Sequence, residues 1–355
     1  MKSLWVEKSA LEKSAWQDIT PVALADGQVL LEIEKYALTA NNITYAVVGD
    51  GFGYWNFFPT GDEGQGIVPV WGFAKVTESA HPDITVGERL YGYLPMASHL
   101  VVSPKNVTDA GFVDGIVHRQ GLAIIYNQYH RLGTEEGAHE DQRALFQPLF
   151  TTSFLIEHMM RDADWFGAGA MVLTSASSKT ALGLAMVAKS LSPGIKRMGL
   201  TSASNVAFVE STGLYDQVCS YDDLSAIDNR AAVVSVDFAG NSQLLADIHA
   251  HWDQNLKFSS LVGATHVDGR GGGEDLKGPK PELFFAPTAA EVLIKEVGPV
   301  AFRARVDAEF DKFVADADNY LTVERHVGGI ALEKAYLEAL AGDVSPNRGI
   351  ICAFD

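Results

Sequence analysis

The segment Met171–Leu184 (MVLTSASSKTALGL) joins a short apolar run to a helix-forming run through small, hydroxyl-bearing residues. Small side chains let a backbone approach an anion closely, and the amides at a helix N-terminus supply the donors. Ser175, Ala176, Ser177, Ser178, Lys179 and Thr180 are the residues such an anion site would use. Gly183 would allow close packing of helix on strand. The anion that a strand–turn–helix unit of this kind holds is a pyrophosphate. G-x-G-x-x-G is absent, so a βα turn with no ligand is the competing reading of this segment taken alone.

The end of the next apolar run sharpens the choice. Gly199–Asn205 (GLTSASN) carries no Asp or Glu to hold a ribose diol. Thr201, Ser202, Ser204 and Asn205 could instead donate to a 2′-phosphate, with Lys179 and Arg197 bringing positive charge. The pattern favours NADP(H). The same hydroxyls could cap the next helix, and both roles can hold. Metal chemistry has no comparable support. His139–Glu140 and Glu157–His158 are adjacent pairs, a poor spacing for two ligands on one helix face. His249 and His251 read as surface residues. Cys219 and Cys352 are too few for a thiolate zinc cage or a disulfide framework.

These residues must be positioned by a protein with substantial cores. The chain has 355 residues, 47% of them hydrophobic, which suggests two domains. Its net charge of −18 argues against nucleic-acid and anionic-membrane partners, both of which need clustered Lys and Arg. The N-terminus lacks the apolar stretch of a signal peptide. No uncharged apolar run reaches the roughly 18 residues of a membrane helix. The expectation is a soluble, cytoplasmic protein with a small-molecule substrate.

The first hundred residues read as strands and turns, with QVLLEIE (28–34) alternating apolar and polar residues. TEEGAHEDQ (134–142) reads as a solvated loop. Beyond it, helical patterns at 145–160, 179–191 and 205–211 alternate with apolar runs at 170–174, 197–201, 217–220, 231–237 and 258–264. Such alternation implies a parallel sheet with crossovers. GRGGGEDLKG (269–278) is a loop by composition, and 282–285 is a short strand. A helix over 288–314 and a strand–helix–strand tail follow.

Taken in order, these segments resemble the medium-chain dehydrogenase/reductase superfamily, nearest its zinc-free quinone-oxidoreductase and enoyl-reductase branch. The resemblance is closer still to a family known only as a domain of unknown function, DUF2855. QVLLEIEKYALTANNITY (28–45) is similar to the superfamily's first strand and Asn-containing active-site loop, with Asn42 at the Asn. DITVGERLYGY (83–93) and MASHLVV (96–102) resemble its next strands. Thr152–Ser153–Phe154 stands at the Thr-Ala-Tyr of the helix leading into the nucleotide domain. Phe238–Ala239–Gly240 and Val262–Gly263–Ala264 fall where the superfamily lines the nicotinamide. AYLEALAGDVSPNRGII (335–351) resembles its closing helix, turn and strand.

The resemblance implies an α/β fold, with a doubly wound Rossmann-type domain over 139–317 and a β-rich GroES-like domain over 1–138 and 318–355. It implies a zinc-independent NADP(H)-dependent oxidoreductase acting on a small carbonyl, enone or enoyl thioester, and a homodimer. GDEGQG (61–66) stands where zinc-dependent members have Gly-His-Glu, and ALTANN (37–42) has no catalytic cysteine. Without zinc, a tyrosine, a histidine or water must supply the proton. Tyr45 and Tyr129 are the candidates, with Asn42, Tyr126 and Asn127 as substrate contacts. For any one tyrosine, packing with a wet hydroxyl is the competing role. The aromatic loop FGYWNFF (52–58) could wall an apolar pocket or be ordinary core. The insert 125–142 has no clear counterpart. The alternative function is a non-catalytic NADP(H)-binding protein, acting as a sensor or partner subunit.

Overall fold

The structure is a computed structural model in which residues 1–262 and 276–354 are described. The chain divides into two compact units: Met1–Leu145 with Thr322–Asp355, and Phe146–Leu321.

The first unit opens with strands β1 (Lys2–Glu7) and β2 (Ala10–Asp18). β3 (Val29–Leu38) leads into helix α1 (Ala40–Val47). β4 (Gln65–Gly66), β5 (Pro69–Ser79), β6 (Arg89–Pro95) and β7 (His99–Val102) follow. β8 (Pro104–Thr108), β9 (Gly111–Asp114) and β10 (Gln128–Arg131) complete its first pass. Helix α2 (Glu140–Asp162) starts in this unit and continues in the second.

Within the second unit lie β11 (Ala170–Leu173), α3 (Lys179–Leu191), β12 (Lys196–Thr201), α4 (Val206–Ser211) and β13 (Gln217–Ser220). β14 (Val233–Asp237), α5 (Ser242–Trp252), β15 (Leu256–Val262) and β16 (Glu282–Phe284) come next. The pattern read as one helix over 288–314 is two, α6 (Ala286–Val297) and α7 (Pro299–Ala317), broken at Gly298–Pro299. Proline lacks an amide to continue α6, and it suits the first turn of α7. The chain returns to the first unit with β17 (Thr322–Val327), α8 (Gly329–Ala341) and β18 (Arg348–Ala353). Among the described residues, no helix is long and apolar enough to cross a membrane.

The first unit is built on a nine-stranded sheet, with β3, β5 and β6 at its centre. β6 is buried along its whole length, including Tyr91 and Tyr93. Space there is tight: a Cβ at Gly92 would lie 2.5 Å from the Tyr129 ring. The insert without a counterpart supplies β10, hydrogen-bonded between β6 and β9. The expected solvated loop at 134–142 is only partly that. Glu140 is 6% exposed and takes the Arg89 guanidinium through both carboxylate oxygens, at 2.7 and 2.9 Å. Asp141 accepts from Lys35 Nζ at 2.9 Å. Buried Lys35 and Arg89 need these anions, because an unpaired charge in a core is expensive.

In the second unit, six parallel strands run in the order β13-β12-β11-β14-β15-β16. β11 and β14 are buried throughout, as strands covered on both faces are. Phe146 and Phe150 of α2 pack edge-on to Phe313 and Phe310 of α7. The close approach expected of Gly183 is made with helix α2 rather than with a strand, since a Cβ there would lie 2.9 Å from Ser153 Oγ. Ser153 Oγ in turn donates to Thr180 O at 2.7 Å, tying α2 to the first turn of α3.

His249, expected at the surface, is fully buried. Its Nε2 lies 2.9 Å from Ser259 Oγ and its Nδ1 lies 2.7 Å from Lys277 O. A carbonyl can only accept, so Nδ1 carries a proton. Burial lowers the ring's pKa below the usual histidine value, which favours the neutral form. The unfolded chain therefore binds the proton more readily, and stability falls as pH drops through about 6.5 toward the folded-state value. Melting temperature should decline between pH 7 and pH 5 in the parent chain. That decline should be shallower in His249→Gln, and equal slopes would remove His249 from the account.

Candidate functional site

The second unit's strand order, numbered along its own sequence, is 3-2-1-4-5-6, with the direction of winding reversing between β11 and β14. Ligands of open α/β sheets bind outside the carboxyl ends of the strands at that reversal. Thr174 knits the two ends together. Its hydroxyl accepts from the amides of Phe238 and Ala239 at 2.8 and 3.0 Å and donates to buried Asp237. Phe238 and Gly240 thus form a turn at the end of β14, with Gly240 at φ +64°. Val262 ends β15, while Gly263 and Ala264 lie outside the described residues.

The turn after β11 is held from several sides. Ser175 sits at φ +45°, a left-handed conformation that costs a non-glycine residue roughly 1–2 kcal/mol. Its amide donates to Tyr221 Oη at 3.1 Å. Ala176 is fully buried, its amide donating to Leu200 O at 3.0 Å. Tyr215 Oη donates to Ala176 O at 2.8 Å. A Cβ on Gly199 would stand 2.9 Å from Ala176 Cβ, so glycine is what lets β12 run this close. Ser178 caps α3, its Oγ accepting from Ala181 N at 3.3 Å. Among the described residues, the amides of Ser177 and Thr180 make no backbone hydrogen bond. They lie at the N-terminal, positive end of a 13-residue helix.

The residues after β12 join this turn. Ser177 Oγ accepts from Asn205 Nδ2 at 3.2 Å and from Thr201 Oγ1 at 3.4 Å. Neither Ser202 nor Asn205 caps the helix that follows it, so capping does not account for these side chains. Ser202 Oγ pairs instead with Ser204 Oγ at 3.1 Å. Lys179 is half-buried, and desolvation pulls its ammonium down to about 8. Arg197 does not bring charge here. It stands four residues before Thr201, about 13 Å back along the strand, and binds Asp216 at 2.8 Å. Thr152 Oγ1 turns back onto Pro148 O within its own helix. Tyr221 and Tyr215 escaped the sequence reading. Each meets the turn only through tertiary packing, and no spacing marks them.

In the first unit, Asn42 lies in helix α1 rather than in a loop. Its Oδ1 accepts from Thr39 N at 2.7 Å and its Nδ2 donates to Pro69 O at 2.9 Å. It is a buried capping residue with its hydrogen bonds satisfied. Tyr129 is likewise committed: its hydroxyl donates to Tyr93 O at 2.6 Å and accepts from Arg119 Nη1 at 3.1 Å. Asn127 Nδ2 donates to Arg119 O at 3.2 Å. The loop 52–58 is core, with Tyr54, Trp55, Phe57 and Phe58 all buried.

Within that aromatic core lie two polar contacts. Trp71 Nε1, which can only donate, lies 3.2 Å from Tyr45 Oη. Tyr126 Oη lies 3.1 Å from Tyr54 Oη, and the Tyr45 ring packs edge-on against Tyr126. Burial raises the pKa of Tyr45, Tyr54 and Tyr126 above the usual phenol value, so all three stay protonated at neutral pH.

Two comparisons place the chain. Its fold is that of the two-domain medium-chain dehydrogenases and reductases. CurA from Vibrio vulnificus in complex with NADPH aligns over 100% of this chain and 99% of its own, at 12% identity and a TM-score of 0.66. A quinone oxidoreductase from Pseudomonas syringae pv. Tomato DC3000 aligns over 99% of both chains, at 13% identity and a TM-score of 0.58. The yhdH oxidoreductase from Salmonella enterica in complex with NADP covers 100% of both, at 13% identity and a TM-score of 0.55. No curated protein matches the chain in sequence. The chain belongs to the family described as a protein of unknown function (DUF2855), whose model matches residues 36–345.

The left-handed Ser175 yields a direct test. Ser175→Gly removes the steric cost and should fold with stability within about 1 kcal/mol of the parent. Ser175→Val, β-branched at positive φ, should lose about 2 kcal/mol in urea denaturation. Equal stabilities would mean the turn is not left-handed.

Proposed function

We propose that this chain is a zinc-independent, NADP(H)-dependent oxidoreductase that reduces a small carbonyl, enone or enoyl thioester. The observation that carries the proposal is the turn Ser175–Thr180, with the unpaired amides of Ser177 and Thr180 at the head of α3. That is a fit for a pyrophosphate. Ser177, Thr201, Ser202 and Asn205 form a hydroxyl and amide cluster beside it, suited to a 2′-phosphate and free of the acid that would repel one. Several structures of the same fold were determined with NADPH or NADP, which favours the same ligand class here.

A bound nicotinamide would supply the hydride. The protein's part is to hold the phosphates at α3, to line the ends of β14 and β15 with Phe238, Gly240 and Val262, and to provide a proton. Tyr54, hydrogen-bonded to Tyr126, is the proton donor in this proposal, with Tyr126 behind it to restore the proton. Neutral phenols suit that role. Zinc is not required by this scheme, and among the described residues no three His, Cys, Asp or Glu side chains gather to hold a metal. A homodimer formed at the open edge of β16, where Leu283 and Phe285 are exposed, belongs to the same proposal. Sedimentation at twice the chain mass would be its mark. The domain assignment that goes with this reading is a nucleotide-binding domain over 139–317 and a β-rich domain over 1–138 and 318–355.

Fluorescence titration tests the cofactor. NADPH should bind at least about tenfold tighter than NADH, roughly 1.4 kcal/mol. Ala176→Glu places a carboxylate in a fully buried position against a diphosphate, and should weaken NADPH binding about a hundredfold, near 2.7 kcal/mol. Lys179→Ala should weaken it less, because it removes a partly desolvated cation without burying a new charge. Normal NADPH binding by a folded Ala176→Glu protein would leave the turn a mere turn. Activity against a carbonyl and enone panel then separates an enzyme from a sensor that only binds the nucleotide. Tyr54→Phe should lower kcat by about 10²-fold or more with NADPH affinity unchanged. An unaltered kcat would take Tyr54 out of the proton path.

A further inference from the structure

The open face of the first unit's sheet holds a cavity of about 320 Å³. Four of its lining side chains are cations, Lys35, Lys75, Arg89 and Arg325, against two carboxylates, Glu34 and Glu136. In a protein of net charge −18 this is an unusual concentration of positive charge. Ile351 and Ala353 of β18 give it an apolar floor.

The pairings within it are unequal. Arg89 is 6% exposed in its side chain and held by Glu140, itself 6% exposed. Lys35, 9% exposed, is held by Asp141 from within and by Glu136 from outside. Arg325 shares Asp141 at 2.8 Å and Glu136 at 3.6 Å. Glu136 differs from the other carboxylates in being 56% exposed. An exposed partner of an ion pair contributes little net stability and leaves easily. Lys75, on the rim, has no ion pair among the described residues. It lies two residues along β5 from Phe73, the register partner of Lys35, which puts the two lysine Cα atoms about 8 Å apart.

We propose that this cavity is a binding site for a small dicarboxylate, with Glu136 as its internal stand-in. One ligand carboxylate takes the place of the Glu136 carboxylate on Lys35 and Arg325, and the other reaches Lys75. The side chain of Glu136 turns into water. The buried anions Glu140 and Asp141 stay with their cations, so displacement exposes no buried charge. A monocarboxylate gains only what Glu136 already supplies at high effective concentration, and so competes poorly. A dianion adds the contact with Lys75. None of these residues belongs to the turn at Ser175–Thr180, so the site stands or falls apart from the nucleotide reading.

Calorimetric titration of the full chain at low ionic strength tests the assignment, with succinate as the probe and acetate as the control. Succinate should bind at one saturable site and acetate at least about tenfold more weakly. Glu136→Gln should tighten succinate binding about tenfold, because the competitor is gone and the position is exposed enough to tolerate the change. Lys75→Gln, also at an exposed position, should weaken it about tenfold. Ser225→Ala, at an exposed position of the other unit, should leave it unchanged. The proposal is overturned if neither the parent chain nor Glu136→Gln gives a saturable signal. It is equally overturned if Lys75→Gln binds succinate as the parent does, or if acetate matches succinate.

Discussion

Gly199 leaves no side chain between β12 and the turn that follows β11, and a Cβ there would stand 2.9 Å from Ala176 Cβ. Because of that clearance, Ala176 can hydrogen-bond Leu200 and bury itself completely. The turn is thereby pressed against the sheet, Ser175 is held at positive φ, and the amides of Ser177 and Thr180 make no backbone hydrogen bond among the described residues. Thr174 extends the same constraint across the reversal of the sheet by gathering the start of the β14 turn onto one hydroxyl. The geometry suited to a nucleotide is a consequence of packing the backbone closely, and side-chain donors such as Ser177 and Asn205 are added to it.

The two units keep their polar groups in different ways. The second hides a neutral histidine between Ser259 and a backbone carbonyl, a device sensitive to acid. The first buries cations, Lys35 and Arg89, and satisfies them with Glu140 and Asp141 from the first turn of α2. Acidic residues at a helix N-terminus are favourable in their own right, so these carboxylates serve the helix and the cations together. Buried phenols complete the picture: each stays protonated because an ionised one would have no solvent to stabilise it.

Much of the second unit was legible in the chain itself. Apolar runs of four to seven residues, alternating with helical periods, imply parallel strands and crossovers. The helix over 179–191 and the strand over 217–220 have those limits in the fold. The Ser175–Thr180 turn stood out because small residues between a strand and a helix have few other uses. Elsewhere, local pattern pointed the wrong way. TEEGAHEDQ is polar enough to read as solvent-facing, yet Glu140 is buried. His249 sits among residues of ordinary helical periodicity, and only its distant partners show that it is inside.

The sequence by itself determined the alternation of elements, the absence of an acid after β12 and the small-residue turn, because each is a property of residues close together along the chain. The tertiary structure decided which side chains meet. Arg197 is near Thr201 in sequence but lies at the other end of the strand, since an extended chain advances about 3.3 Å per residue. Tyr221 reaches Ser175 across 46 residues, and Tyr54 reaches Tyr126 across 72. Glu140 reaches Arg89 across 51. Contacts at such separations depend on strand order and register, which no local period encodes.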